Sequence, residues 1–204
     1  MMYTLPGFLH RHRRRIVWIT IAGGAVALVL SLATPLRYRA TMRLLIIQAT
    51  SPTLDAFTAV KSSEKVGRNL SRILASSSFL DRVLLANPKI DASTFPRDER
   101  RRRKAWARMV EASVAPETSV MDIHVFHPRS SQALSIAEAV GGVLTRDARE
   151  YTGSYDISVK VIDPPLASRF PVRPNIPLNV LLGLILGALI GTAFEYLRGP
   201  HRDS

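Results

Sequence analysis

The sequence contains no cysteine, so no disulfide can brace it and any domain it forms must cohere through its own core. Redox chemistry therefore says nothing about its compartment. There is no G-x-x-x-x-G-K-[ST] stretch, which excludes a P-loop kinase on this chain, and there is no H-E-x-x-H or metal-spaced Cys/His cluster. His124 and His127 are three apart in an extended stretch, which points them to opposite faces and away from a shared metal. Asp122 and Asp163 are the remaining carboxylate pair to consider, and nothing in the sequence brings them together. No catalytic residue, no metal and no cofactor is expected.

Charge is also missing, locally, from two stretches of a chain that otherwise carries 28 Lys and Arg against 16 Asp and Glu. Residues 16–33 (IVWITIAGGAVALVLSLA) and 176–194 (IPLNVLLGLILGALIGTAF) hold no ionisable side chain. Each approaches the ~20 residues that cross a ~30 Å hydrocarbon layer. A segment in lipid must satisfy its own backbone, so both are predicted to be helices. The first also fits a cleaved signal peptide, with Arg11, Arg13, Arg14 and Arg15 ahead of it and Ser31-Leu32-Ala33 as a small-x-small site. Its length and the second span favour an uncleaved anchor. The same arginines place the N-terminus in the cytoplasm by the positive-inside rule, and a second span returns the C-terminus there. Most of the net charge of +12 then lies in the outer loop. Long loops translocate regardless of charge, so the excess is no argument for nucleic acid.

These observations predict a cytoplasmic tail over residues 1–15, a transmembrane helix over 16–36, an extracytoplasmic α/β domain over 37–163, a proline-rich connector over 164–175, a second transmembrane helix over 176–196 and a cytoplasmic tail over 197–204. Within the outer domain, residues 39–48 and 156–162 read as strands, and in the second Ile157, Val159 and Val161 alternate with Ser158 and Lys160. Residues 51–55 (SPTLD) read as a turn. Residues 57–85 are helical with a break at Ser76-Ser77-Ser78, which can cap a following helix. Residues 97–113 read as a third helix, with Trp106, Met109, Val110 and Ser113 on one face. Residues 112–115 also suit a short strand, turning through 116–119 into a strand over 120–126. Residues 130–151 carry a helical stripe of Ala133, Ile136, Ala137, Val140, Leu144 and Ala148. The order strand, helices, strand, strand, helix, strand is the split βαβ pattern, so the fold class is α+β, with two transmembrane helices flanking a ferredoxin-like extracytoplasmic domain.

Three further features draw attention. Pro171, Pro174 and Pro177 recur every third residue, the period of a polyproline II rod, and read as a stiff linker or a docking ridge. Gly183, Gly187 and Gly191 in the second span, and Gly23, Ala27 and Ser31 in the first, repeat every fourth residue, the spacing of close helix packing or oligomerisation. The run of residues 97–108 contains Arg100, Arg101, Arg102 and Arg103, which either form a solvated helix face or contact an anionic glycan, a lipid-linked phosphate or headgroups.

The layout resembles the polysaccharide co-polymerase family, the Wzz-type chain-length determinants, in the short form without a fused tyrosine kinase. The resemblance rests on the basic N-terminus and first span, on Tyr38-Arg39-Ala40-Thr41 just beyond it, and on residues 117–133 (ETSVMDIHVFHPRSSQA). It rests most on residues 159–187, where a strand is followed by Ala167, Pro171, Pro174 and Pro177 and then a glycine-rich span. It implies a ring-like homo-oligomer in the cell (inner) membrane that regulates the chain length or export of a surface polysaccharide: lipopolysaccharide O-antigen, capsule or exopolysaccharide. The implied partners are a polymerase or exporter in the membrane and the growing lipid-linked polysaccharide. An adaptor for a separate cytoplasmic tyrosine kinase, and a membrane-tethered binding or sensor domain, remain as alternatives. The outer loop is short beside members that insert a long helical hairpin, and Tyr196 stands without a tyrosine cluster around it.

Overall fold

A computed structural model describes residues 5–48, 56–152 and 157–198. The turn expected at 51–55 and the strand start expected at 156 lie outside these. The chain divides into two compact units, one made of residues 37–172 and the other of the segments before and after it.

The second of these units is a pair of helices. α1 spans Leu5–Leu32, so the helix begins within the basic N-terminal stretch and stops short of residue 36. Thr34-Pro35 explains the stop, since proline just past a helix cannot continue it. Its partner, running over Ile176–Arg198, has Asn175 at its cap, with the side-chain oxygen accepting from the Leu178 N–H at 3.3 Å. Pro177 falls in the first turn, where a missing N–H costs nothing.

The residue 37–172 unit is a mixed α+β domain. Its elements are β1 (Tyr38–Gln48), α2 (Ala56–Leu74), α3 (Ser77–Ala86), a 3₁₀ turn at Ala92–Thr94, α4 (Glu99–Met109), β2 (Val110–Val114), β3 (Val120–His127), α5 (Ser130–Thr152) and β4 (Ile157–Ala167), and the Ile176–Arg198 helix is then α6. The sheet is antiparallel throughout, in the order β2-β3-β1-β4. β1 and β2 both oppose β3, so they run in the same direction with β3 between them. The first and last strands are neighbours, from Gln48 opposite Ile157 to Ala40 opposite Ala167.

Alternation sets the buried face. Ala40, Met42, Leu44 and Ile46 of β1 and Met121, Ile123 and Val125 of β3 are all buried on one side. Onto them pack Ala133, Ile136, Ala137, Val140 and Leu144 of α5, Leu70 and Leu74 of α2, and Phe79, Leu80 and Val83 of α3. Ser76 caps α3 by accepting from the Phe79 N–H at 3.2 Å, which is the break read from the serine run. Trp106 is fully buried and its indole N–H donates to the Leu74 carbonyl at 2.6 Å, joining α4 to the end of α2.

Two boundaries differ from the sequence reading. The third helix ends at Met109, not at residue 113, and Val110–Val114 is the edge strand β2. Val110 and Ser113 fit a helical stripe by coincidence; the period-2 set Val110, Ala112 and Val114 faces Val125, Ile123 and Met121 across the ladder, and that pairing decides. At the other edge, β4 runs on through Pro164 and Pro165 to Ala167. The expected connector over 164–175 is therefore strand for its first four residues. Prolines are tolerated there because β4 is an edge strand with register shifts opposite residues 41–44 of β1. Val161 lies opposite Leu44 before the shifts begin and keeps the face of Ile157 and Val159, but it is 45% exposed, lining an open depression with Met42, Gly141 and Gly142.

Candidate functional site: a glycine seam between two apolar helices

α6 carries a stripe of every fourth residue that faces α1 throughout: Asn179, Gly183, Gly187, Gly191 and Glu195. The two helices are antiparallel along it. Asn179 Nδ2 donates to Ser31 Oγ at 3.0 Å. Gly183 lies against Gly23 and Ala27, where an added Cβ would sit 2.7 Å from the Gly23 carbonyl oxygen. Gly187 lies against Thr20, Ile19 and Gly23, with an added Cβ 2.9 Å from the Thr20 Cα. Gly191 meets Ile16 and Ile19 at 3.4 Å or more. Arg15 closes the line 3.6 Å from the buried Glu195 carboxylate. The glycines allow backbone to touch backbone, which is what close helix packing without a hydrophobic drive needs. The structure thus joins Gly23, Ala27 and Ser31 to Gly183, Gly187 and Gly191 within one chain. The sequence reading missed Ile16, Ile19, Thr20, Asn179, Arg15 and Glu195. Extending each four-residue repeat to its ends would have found all but Ile16 and Thr20.

The other faces of the pair are apolar and bare. The candidate spans, Arg13–Leu32 and Ile176–Leu197, each bury only 17% of their most apolar stretch. Trp18, Val26, Val29 and Leu30 on α1, and Leu181, Leu186, Leu189 and Ile190 on α6, are more than half exposed.

The proline positions do not form one rod. Pro171 lies in a loop, the Arg173–Pro174 bond is cis, and Pro177 belongs to α6. The arginine run is divided in use. Asp98 caps α4 through the Arg101 N–H at 2.9 Å, and Arg102 is half-buried in an ion pair with Asp81. Arg100, Arg101 and Arg103 point to solvent, with Lys104 and Arg108 beside them.

On the face of the sheet away from the helices, Arg43 bonds Asp122 at 2.9 Å and Asp163 at 3.3 Å, linking three strands. The Asp122 hydrogen bond holds the guanidinium more firmly protonated. This brings together two carboxylates that the sequence left apart, through a register shift that no periodicity could reveal. His124 shares that face and lies 3.2 Å from the Thr41 hydroxyl, whereas His127 is buried on the other and its Nδ1 accepts from the Arg129 N–H at 3.0 Å. Burial pulls the His127 imidazole below its usual range. Asp91 is held low by its bond from Ser93 and by Arg129. Glu150 is held low by a two-pronged bond from Arg82, whose guanidinium also lies over the Tyr151 ring at 5.0 Å. Arg82 and Glu150 thus tie α3 to α5, as Arg43 ties the strands.

No protein-family model matches this chain, and no curated protein is significantly similar to it in sequence.

Proposed function

We propose that the chain is a two-pass membrane scaffold that regulates the chain length or export of a surface polysaccharide. In this reading α1 and α6 cross the cell membrane with both termini in the cytoplasm, and the sheet domain lies outside. The bare apolar surface of the helix pair carries the membrane half of the proposal. A core helix of a water-soluble protein is mostly covered, but here each helix buries one glycine-lined face only. Every half-exposed Leu or Ile would forgo on the order of 1 kcal/mol in water, and lipid removes that loss.

The strand order β2-β3-β1-β4, with two strands in one direction split by a third, supports a ferredoxin-like reading of the outer domain. Adjacent first and last strands suit a domain whose two ends both lead to a membrane. The polysaccharide half rests on the resemblance of residues 38–41, 117–133 and 159–187 to the co-polymerase family. Copies of the chain assemble into a homo-oligomer, the bare helix faces meet a polymerase or exporter, and the solvent-facing Arg100, Arg101 and Arg103 meet the anionic parts of a lipid-linked polymer. No catalytic step is assigned to the chain.

The test is the length distribution of the cell's surface polysaccharide, resolved by gel, with the gene intact, deleted, or carrying Gly187→Val. A preferred length that shifts or disappears in the last two strains supports the scaffold. An unchanged ladder on deletion removes the polysaccharide role and leaves the membrane reading standing.

A further inference from the structure

β4 does not simply release the chain after Ala167. The Ser168 N–H donates to the Arg39 carbonyl at 2.7 Å, the Arg39 N–H donates back to Ser168 Oγ at 3.0 Å, and the Val172 N–H donates to the Arg37 carbonyl at 2.8 Å. Residues 169–171 therefore form a short loop pinned at both ends to the start of β1. At its crest stands Phe170, 72% exposed, and just before it on the strand stands Leu166, 77% exposed. Among the described residues of this unit, only Leu85 is a more exposed large apolar residue. A loop so anchored is held out rather than left loose, because its backbone bonds are those of the sheet itself. Arg37, Arg39 and Arg169 stand around it, and none of the three is in an ion pair among the described residues. Rigid apolar side chains ringed by unpaired arginines are the make-up of a surface that sits in a bilayer interface.

The occupant follows from the chain. Arg37 comes five residues after the end of α1, and Phe170 comes six residues before the start of α6. Six residues span at most ~20 Å, so a membrane crossed by those helices lies within reach of both. We infer that this loop is a foot that stands the outer domain on the lipid surface: Phe170 and Leu166 enter the boundary between headgroups and acyl chains, and Arg37, Arg39 and Arg169 bind lipid phosphates. The inference rests on the membrane-spanning reading of α1 and α6.

The absence of cysteine makes the test clean, because any introduced thiol is the only one. Four variants of the full chain, Leu166→Cys, Phe170→Cys, Pro116→Cys and Trp18→Cys, are labelled with a nitroxide and placed in nanodiscs containing phosphatidylglycerol. Accessibility to oxygen is then compared with accessibility to a water-soluble nickel chelate. Position 116 lies in the β2–β3 turn, at the opposite end of the sheet, and is exposed to solvent. The oxygen-to-nickel ratio is expected to be highest at 18, several-fold above position 116 at 166 and 170, and lowest at 116. Changing Arg37, Arg39 and Arg169 to Gln should bring positions 166 and 170 down toward 116. Ratios at 166 and 170 equal to that at 116, with 18 still in lipid, would overturn the foot alone. A nickel-accessible position 18 would overturn the membrane reading and the foot with it. Ratios unmoved by the triple Gln change would overturn the role given to the arginines.

Discussion

Glycine does opposite things in the two units of this protein. In the helix pair, a methyl group added to Gly23, Gly183 or Gly187 meets backbone: the Gly183 oxygen, the Gly23 oxygen, the Ile19 oxygen or the Thr20 Cα, all at 2.9 Å or less. In the sheet domain, a methyl on Gly67 meets the tips of Val114 and Ile46, and one on Gly141 meets the Met42 Cε. Side-chain tips can rotate away, but two helix backbones in contact can only separate. Between its polar ends the pair meets backbone to backbone along one line, so it tolerates almost no added volume there. The domain is held by a core of interlocked side chains and can absorb a small intruder, although it cannot lose a large member.

The largest expected effect comes from removing such a member. Trp106→Ala empties a fully buried site and leaves the Leu74 carbonyl without its donor. A loss of about 3–5 kcal/mol is expected. Hydrogen exchange on the full chain in detergent should show lost protection across β1, β3 and α5 while the α1–α6 pairing persists. The converse variant is Gly187→Val. Overfilling a packed contact costs about 1–3 kcal/mol, here falling on the pair and not on the sheet. Ser31→Cys with Asn179→Cys supplies the readout, since those side chains touch in the native seam. Their disulfide yield should drop when Gly187→Val is added, with exchange in the sheet domain unchanged. Equal damage to both units by either variant would erase the contrast drawn here.

Acid should also separate the units, because the shifted groups named here lie in the sheet domain. His127 is buried neutral, so its folded pKa lies below the unfolded value near 6.5. A depressed group stabilises fully above its unfolded pKa and loses that contribution as the pH falls through the window down to its folded pKa. The backbone hydrogen bond at Arg129 opposes burial, the charges of Arg129 and Arg37 push with it, and Asp91 opposes it. Asp91 and Glu150 are also depressed and add losses at lower pH, below the ordinary carboxylate range. Domain stability is thus expected to fall as pH drops below about 6.5. His127→Gln should flatten the first part of that fall, measured by thermal melts from neutral to mildly acidic pH. An unaltered slope would show that the imidazole is not the group responsible.

Much of this architecture was legible because it repeats. Two charge-free runs announced the apolar helices, and the alternation in residues 39–48 and 120–126 announced the central strands. The stripe from Ala133 to Ala148 announced α5. What stayed hidden depended on partners distant in sequence. Residues 110–114 satisfied a helical period through Val110 and Ser113 and a strand period through Val110, Ala112 and Val114, and only the ladder to β3 decides between them. Pro164 and Pro165 argued against a strand, and it took an edge position with a register shift to admit them. The meeting of Asp122 and Asp163 at Arg43 needed the same shift. In the helix pair the small-residue repeat was visible, but its partner was not, since spacing reveals that a face is smooth and not what lies against it.

The smallest expected effect sharpens the comparison most, because one substitution can be made in three settings. Gly142 lies in the middle of α5, and a Cβ there would meet nothing within 4 Å. Gly142→Ala removes backbone freedom from the unfolded chain and adds no clash, so it should stabilise the domain by about 0.5–1 kcal/mol, a rise of a few degrees in Tm. One residue earlier, Gly141→Ala gains the same helical preference but displaces the end of Met42, whose unbranched chain has room to turn. The two terms oppose, and a change near zero is expected. Gly183→Ala has the same helical gain again, yet its Cβ would press on the Gly23 carbonyl and the Ala27 methyl. No rotamer relieves a backbone contact, so the Ser31–Asn179 disulfide yield should fall although the helix itself is strengthened. Gain, balance and loss in that order would show that the neighbour, not the glycine, decides the sign. A uniform gain would mean that the α1–α6 seam has slack, and that the one-line packing described for it is looser than its geometry.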